Sequence, residues 1–505
     1  MEIYFVYSFF PQIVQGPIAR FDCWKNNLNK IYKFEYKEYT FGWQLIVWGY
    51  FLKFVVADKA GIMVNTVYEN LVELPGIYIL TAAILYSIQL YADFCGCVNI
   101  AIGTAQTFGI VLQPNFRQPY FAESIRDFWR RWHLTLSNWL RDYVYIPLGG
   151  NQKGKVRQCI NILVVFVVSG IWHGFGLNFV LWGILHGIYQ VFEIIFDRIG
   201  LSVNRKQGNR CSQIIKISIS FALVTFGWML FRAQSVEQFF NLVRLMFSVW
   251  NPEAILDGDA YYRMGLSRLQ TFPLILGIAG LFVVDLLHER GISIRKKVSE
   301  YPIVLRWMIY LAIIMFILIS AATVILKPKR LEMPYDNARK ERGFYVEPRN
   351  ELDIVFVGSS QLFSTIMPSV SEEEQEIKSY VFAGNEQTFG ISYYYIMEAL
   401  KYQNPKAIVL ETTFCNWGEP PRESVVRINF DDMRWGKAKI LGILNNVEPN
   451  EWEYYFFELA KYHSRWDALC KEDFNIKECY YDENKTKGGH LTQKVMIRTK
   501  CMERQ

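Results

Sequence analysis

The stretch "SGIWHGFGLNFVLWGILHG", residues 169–187, is among the most apolar parts of the chain, yet it carries two of the six histidines. An imidazole titrates near neutrality and can take a proton at one nitrogen while the other holds it in place, so His173 and His186 are candidates for general-base work. Ionisable groups inside apolar spans are expensive to bury and tend to face a cavity or a partner. His173 precedes "GFG", whose glycines let a helix break or a backbone come close to a ligand. His186 follows thirteen positions later, on another face of a continuous helix, and no HxxxH or HxxE spacing offers a shared metal site. From pattern alone, each histidine reads more readily as a satisfied core group than as a catalyst.

The segment "SIRDFWRRWHLTLSNWLRDYVYIPLGG", residues 124–150, carries the next candidate. On a helix, Trp129, Trp132, His133, Leu136 and Leu140 share one stripe, and Arg126, Arg130, Ser137 and Arg141 lie on another side. This pattern predicts an amphipathic helix lying at the membrane interface, with Trp and Arg at headgroup depth. "YIPLGG" then supplies a stop and a turn.

The elements that must position these groups are membrane helices. Of 505 residues, 51% are hydrophobic, 16% aromatic and only 20% charged, which describes a membrane protein with a polar part attached. The net charge of +6 is mild and spread along the chain; it suits flanks facing anionic lipid and excludes a nucleic-acid groove. Nine cysteines without a CxxC pair imply neither a zinc site nor a disulfide framework. The opening residues lack the basic region and cleavage site of a signal peptide, so insertion must come from internal spans. Stretches long enough to cross a bilayer fall at 41–57, 76–102, 159–173, 175–196, 214–232, 271–287 and 303–326. Residues 327–350 are charged and read as a linker. In 351–505, "DIVFVGSS", "ISYYYIMEALKYQ" and "KAIVLETTF" read as strand, helix and strand, a parallel α/β layer.

The motifs "FFPQIVQGPIARF", "DFWRRWHLTLSNWLRDYVYIPLGGN", "SGIWHG" and "WGILHG", in this order and spacing, resemble the membrane-bound O-acyltransferases, in particular the bacterial branch of alginate O-acetylation and teichoic-acid D-alanylation proteins. The resemblance covers residues 1–326 and implies a multi-pass α-helical acyltransferase core. It implies that His173 is the catalytic histidine, that His133 orients a group or binds substrate, and that His186 is structural. Trp172, Asn178, Arg130 and Arg131 become substrate-binding candidates. No bound cofactor or metal is implied, only an acyl donor such as acetyl-CoA or another acyl thioester. The implied partners are the lipid bilayer, an acyl donor or acyl carrier protein, a polysaccharide acceptor and other cell-envelope acetylation proteins. The implied place is the bacterial cytoplasmic membrane. An apolar tunnel would also protect a thioester from hydrolysis. Members of the family begin with several further membrane helices, so the expectation is an amino-terminally truncated copy.

"DIVFVGSSQLFSTIMPSVSEEE" resembles the first block of SGNH-type esterases and of the transfer partners that accompany this acyltransferase branch. That resemblance maps the nucleophile onto Ser360, at the end of a buried strand where α/β sites lie. A serine needs a base and an oxyanion site, and Gly384 and Asn385 in "FAGNEQTFG" are candidate oxyanion donors. The Asp-x-x-His pair of such proteins is missing: His463 and His490 have Ala460 and Lys487 three residues earlier. The expectation is a carboxy-terminally incomplete SGNH-like α/β domain, with Ser360 read equally well as a plain turn serine. Chemistry on a polysaccharide would place this domain outside the cytoplasm, whereas basic residues flank the last span on both sides and leave the positive-inside rule without a choice. Two other readings stay open: a transporter or polysaccharide-export scaffold with a histidine relay, and an inactive fragment of an acyltransferase.

Overall fold

Glycines seven residues apart decide how the first long helices pack. The computed structural model describes residues 34–69, 76–198, 210–248, 268–326, 347–413 and 421–456, with short pieces at 9, 16–18, 250, 263–266, 341, 343–345, 461–462, 465–466 and 469. Helix α1 (Tyr36–Phe51) runs through a π turn (Leu52–Ala57) into α2 (Asp58–Glu69), and α3 (Gly76–Thr107) packs along α1. A Cβ on Gly42 would lie 2.6 Å from the Gly103 carbonyl oxygen, and one on Gly49 would lie 2.5 Å from that of Gly96. The two main chains therefore touch at two points. Lipid gives apolar side chains no drive to leave it, so such close approach is what holds helices together in a bilayer.

The chain continues through α4 (Ile125–Trp129), α5 (Leu134–Leu140), α6 (Lys155–His173), α7 (Leu177–Arg198), α8 (Arg210–Arg232), α9 (Val236–Ser248), α10 (Arg268–Glu289), α11 (Ile294–Glu300) and α12 (Ile303–Ile325). Among the described residues six stretches are long and apolar enough to span a membrane: Gly76–Thr107, Lys155–His173, Leu177–Arg198, Arg210–Arg232, Gln270–Glu289 and Ile303–Ala322. They correspond to six of the seven predicted spans. The seventh, 41–57, is divided between α1 and the π turn, where Lys53 pairs with Asp58 at 2.8 Å and Asp93 at 2.7 Å. Outward residues such as Phe272, Phe282, Trp307, Met308 and Leu318 are exposed, as suits helices bathed in lipid. Inward, Phe128, Trp132, Trp182 and Trp228 share one core with Tyr78, Tyr86 and Tyr91. The buried Lys59 amine donates to the Ser320 carbonyl at 3.2 Å and ties α12 to α2.

The amphipathic-helix reading of 124–150 is corrected. The segment breaks at His133, whose φ of 46° is left-handed, so Trp132 and His133 do not continue a helical stripe. Phe128, Trp132 and His133 are buried in the core, whereas Trp139, Tyr143 and Ile146 further along the segment are exposed.

The structure divides into two units, Met1–Ala321 and Ala322–Gln505, each described on its own. In the second, β1 (Ile354–Val357) is followed by α13 (Ser360–Thr365), α14 (Pro368–Gln375), β2 (Ser379–Val381), α15 (Phe389–Tyr402), β3 (Ala407–Leu410), α16 (Glu423–Phe430) and α17 (Lys437–Asn446). The sheet is parallel in the order β2-β1-β3, with Ile354 opposite both Ser379 and Ala407. The predicted strand, helix and strand are β1, α15 and β3. The predicted linker is too long at its far end: Phe344 and Tyr345 are buried against Tyr380, Phe382 and Tyr402, and Tyr395 donates to the buried Glu341.

Candidate active site

Glycine again sets the helix pair that carries His173. A Cβ on Gly170 would fall on the Phe179 carbonyl oxygen, and one on Gly183 on that of Phe166, so α6 and α7 run backbone to backbone. Gly174 ends α6 directly after His173. The imidazole is thereby left at a broken helix end, ringed by Trp172 at 4.8 Å, Trp182 at 5.3 Å and Phe231 at 5.3 Å. Among the described residues no side chain or carbonyl is hydrogen-bonded to it, which leaves its nitrogens free for an incoming group.

His133 is reached from the other side. Helix α4 starts on the Ser124 cap, whose hydroxyl accepts from the Asp127 amide at 3.1 Å. Glu193 of α7 accepts from the Ile125 amide at 2.5 Å and the Arg126 amide at 3.1 Å. A carboxylate on the first free N–H groups of a helix satisfies them and complements its dipole. Arg126 also pairs with Asp197 at 3.2 Å, so α4 is pinned to α7 at two points. The turn after α4 delivers His133, 5% exposed, with its ring 4.7 Å from that of Phe94 and 6.3 Å from that of Trp172. Trp172 thus touches both histidines. Burial, with His173 next in effect, pushes the His133 imidazole down to about 3, so it is neutral at neutral pH.

The other candidates separate. Trp172 is 56% exposed and flanks the site. His186 is fully buried, its Nδ1 accepts from the Trp129 indole at 3.3 Å, and its Nε2 faces Gly227, where no Cβ would fit. Asn178 donates to the Ala233 carbonyl at 2.9 Å, which makes its amide a tie between α7 and the end of α8. Arg131 is held by Asp127 at 2.9 Å and Glu289 at 2.7 Å, whereas Arg130 is exposed and makes no ion pair among the described residues. Asn178 and Arg131 are therefore occupied in holding the fold. Sequence reading missed Asn115, whose segment pairs with the His133 turn through Arg117 N to Arg131 O at 2.9 Å and Leu134 N to Asn115 O at 3.0 Å. Its only signal was a polar residue in "LQPNFRQPY", a stretch without periodicity.

Residues 3–235 match the sequence model of MBOAT, the membrane-bound O-acyltransferase family. Over those residues the chain is similar to that family. The chain is 35% identical over 243 residues to a "Peptidoglycan O-acetyltransferase" of Helicobacter pylori, covering 47% of this chain and 45% of that protein. It is 32% identical over 280 residues to a "Probable alginate O-acetylase AlgI" of Pseudomonas fluorescens, covering 54% and 53%. A "Teichoic acid D-alanyltransferase" of Bacillus subtilis is 30% identical over 247 residues, covering 45% and 60%. The chain spans about half the length of the first two of these relatives. With six apolar helices among the described residues, the chain is an integral membrane protein.

In the second unit, the strand-end turn brings Gly358, Ser359 and Ser360 to the carboxyl edge of the sheet. Ser359 is the buried residue, and Glu411, just past β3, accepts from its amide at 2.6 Å and its hydroxyl at 2.8 Å. Ser360 opens α13 and has no base bonded to it among the described residues. Gly384 is corrected as an oxyanion donor, because its N–H is already donated to Gln387 Oε1 at 2.7 Å and the Gly358 carbonyl at 3.1 Å. The Asn385 carbonyl takes the Asn429 amide at 3.0 Å. His463 and His490 lie outside the described residues. Hydrogen bonds to an ionised acceptor contribute about 1.5–3 kcal/mol each. Glu411→Ala is accordingly expected to loosen the turn, read as faster amide hydrogen exchange over residues 354–365 in the full chain, while Glu411→Gln, which keeps an acceptor oxygen, should retain much of the protection. Equal exchange in all three proteins would contradict the tie.

Proposed function

We propose that the protein moves an acyl group, acetyl, from a thioester such as acetyl-CoA or an acyl carrier protein to a hydroxyl of a cell-surface or exported polysaccharide. The observation that carries this reading is the unbonded His173 imidazole, at a helix break and walled by aromatic rings, inside the segment that matches the acyltransferase family model. The acceptor hydroxyl gives its proton to His173 as its oxygen bonds to the thioester carbonyl carbon. The carbon–sulfur bond then breaks, and the imidazolium returns the proton to the departing thiolate. The products are an ester and a thiol, with no net proton consumed. The apolar walls exclude the water that would hydrolyse the donor. Relatives that acetylate alginate or peptidoglycan, and one that transfers D-alanine to teichoic acid, support a polymeric hydroxyl acceptor.

In this reading the helices sit in a bacterial cytoplasmic membrane and the second unit lies outside the cytoplasm, as an SGNH-like domain acting on the same polymer through Ser360. The parallel sheet and the serine turn at the end of β1 support the SGNH-like part of this reading. Membranes containing the full chain, given acetyl-CoA labelled in the acetyl group and soluble alginate, should accumulate alkali-labile label on polymer. Uptake of polymer or donor into vesicles without any covalent label would instead favour a transporter.

A further inference from the structure

We propose that Asn115 is a positioning residue: it locks His133 in the Nδ1–H tautomer and keeps it uncharged, so that Nε2 offers a lone pair to a hydroxyl of the acceptor next to the one that reacts. The role toward the hydroxyl rests on the acyl-transfer reading above; the tautomer does not.

The assignment follows from donors that have no choice. Asn115 is 1% exposed, and its Oδ1 receives the Thr135 backbone amide at 3.0 Å and the Thr135 hydroxyl at 2.9 Å. A backbone N–H can only donate, so the side-chain atom facing Thr135 is the oxygen and the amide cannot be flipped. The same oxygen lies 3.3 Å from His133 Nδ1. Two lone pairs would repel there, so Nδ1 carries the hydrogen. In a neutral imidazole Nε2 is then an acceptor, and among the described residues it has no partner. The Asn115 carbonyl takes Leu134 N as well, at 3.0 Å, so one residue grips positions 133, 134 and 135 of a turn whose first residue is left-handed.

Why the residue is asparagine and not aspartate is the second strand of the argument. Asn115 Nδ2 is buried and has no hydrogen-bond partner among the described residues. An aspartate would accept the same three donors and leave no orphan N–H, which makes it the better residue on hydrogen bonding alone. It would also set a negative charge against His133 and draw it into the imidazolium, which has no lone pair left to offer. The neutral amide avoids that. The groups packed around His133 are Phe94 from α3, Asn115 from the loop after it, and Trp172 and His173 from α6, and of these only His173 titrates.

The test uses the full chain, labelled with ¹⁵N and ¹³C at histidine and reconstituted in bilayers, with His133 assigned by difference against His133→Gln. The wild type should show a protonated Nδ1 and a bare, pyridine-type Nε2 at pH 7. Asn115→Asp should show both nitrogens protonated at pH 7, acetyl transfer to alginate at least tenfold lower, and recovery as the pH rises through the raised imidazole pKa. Nε2–H in the wild type, or an Asn115→Asp protein with the wild-type spectrum and pH profile, would overturn the proposal. Should Asn115→Asp fail to fold, the wild-type spectrum alone supports or overturns the tautomer. Absence of transfer by the wild type would count against the acyl-transfer reading, and the spectrum would still decide the tautomer.

Discussion

Replacing His173 by alanine is expected to lower acyl transfer by about 10²- to 10⁴-fold, the usual worth of a positioned general base. At about 1.36 kcal/mol per tenfold, this is roughly 3–5 kcal/mol of transition-state stabilisation. The loss should fall on kcat, because the imidazole takes the proton only as the hydroxyl attacks, while the aromatic walls that meet the ground state remain. His186 cannot stand in, because it is sealed between Trp129 and Gly227. Initial rates of label transfer by His173→Ala membranes, normalised to protein amount, check this. A rate within twofold of the wild type would remove His173 from the chemistry. His186→Ala provides the contrast, since its cost should appear as lower thermal stability.

The second large effect is expected from Gly170→Leu, which acts through packing. Overfilling a packed contact costs typically about 1–3 kcal/mol. Here the added side chain meets the Phe179 main chain on a neighbouring helix and not a yielding rotamer, which places the change at the upper end of that range or beyond it. Helices α6 and α7 must part, and His173, three residues on, loses its place against Trp182 and Phe231. Gly280→Ala is the matched control, because the nearest atom to its Cβ is a Phe51 ring carbon at 3.8 Å. Thermal unfolding in one detergent should show Gly170→Leu melting well below the wild type and Gly280→Ala close to it. Equal melting temperatures would refute the backbone contact.

How much of this could be read from the sequence depended on whether the signal was local. Apolar length marked the spans, because a bilayer imposes a minimum run on any helix that crosses it. The 41–57 stretch met that criterion and yet divides at a π turn, where Lys53 has two carboxylates to satisfy it, one of them on α3. Motif order singled out His173 and His133. Periodicity misled at 124–150 because it supposes continuous helix, and tertiary pairing with residues 115–117 bends the chain instead. The same cause hid Asn115 and Glu411: each works through a partner on a distant segment, and no spacing along the chain announces such a meeting. Arg131 and Asn178 were legible as polar residues near the site, but their engagement in holding the fold was not, since their partners Glu289 and Ala233 lie far off in sequence.

The glycine contacts between α1 and α3 bear on the site through stiffness. Two points of main-chain touch, seven residues apart on each helix, fix sliding and rocking at once, as two screws hold a plate that one would let turn. Phe94 lies on α3 two residues before Gly96, with its ring 4.7 Å from that of His133. The wall behind the imidazole is therefore backed by a rigid joint, and thermal displacement of Phe94 along the helix axis should be small beside that of the exposed Phe175 at the site's rim.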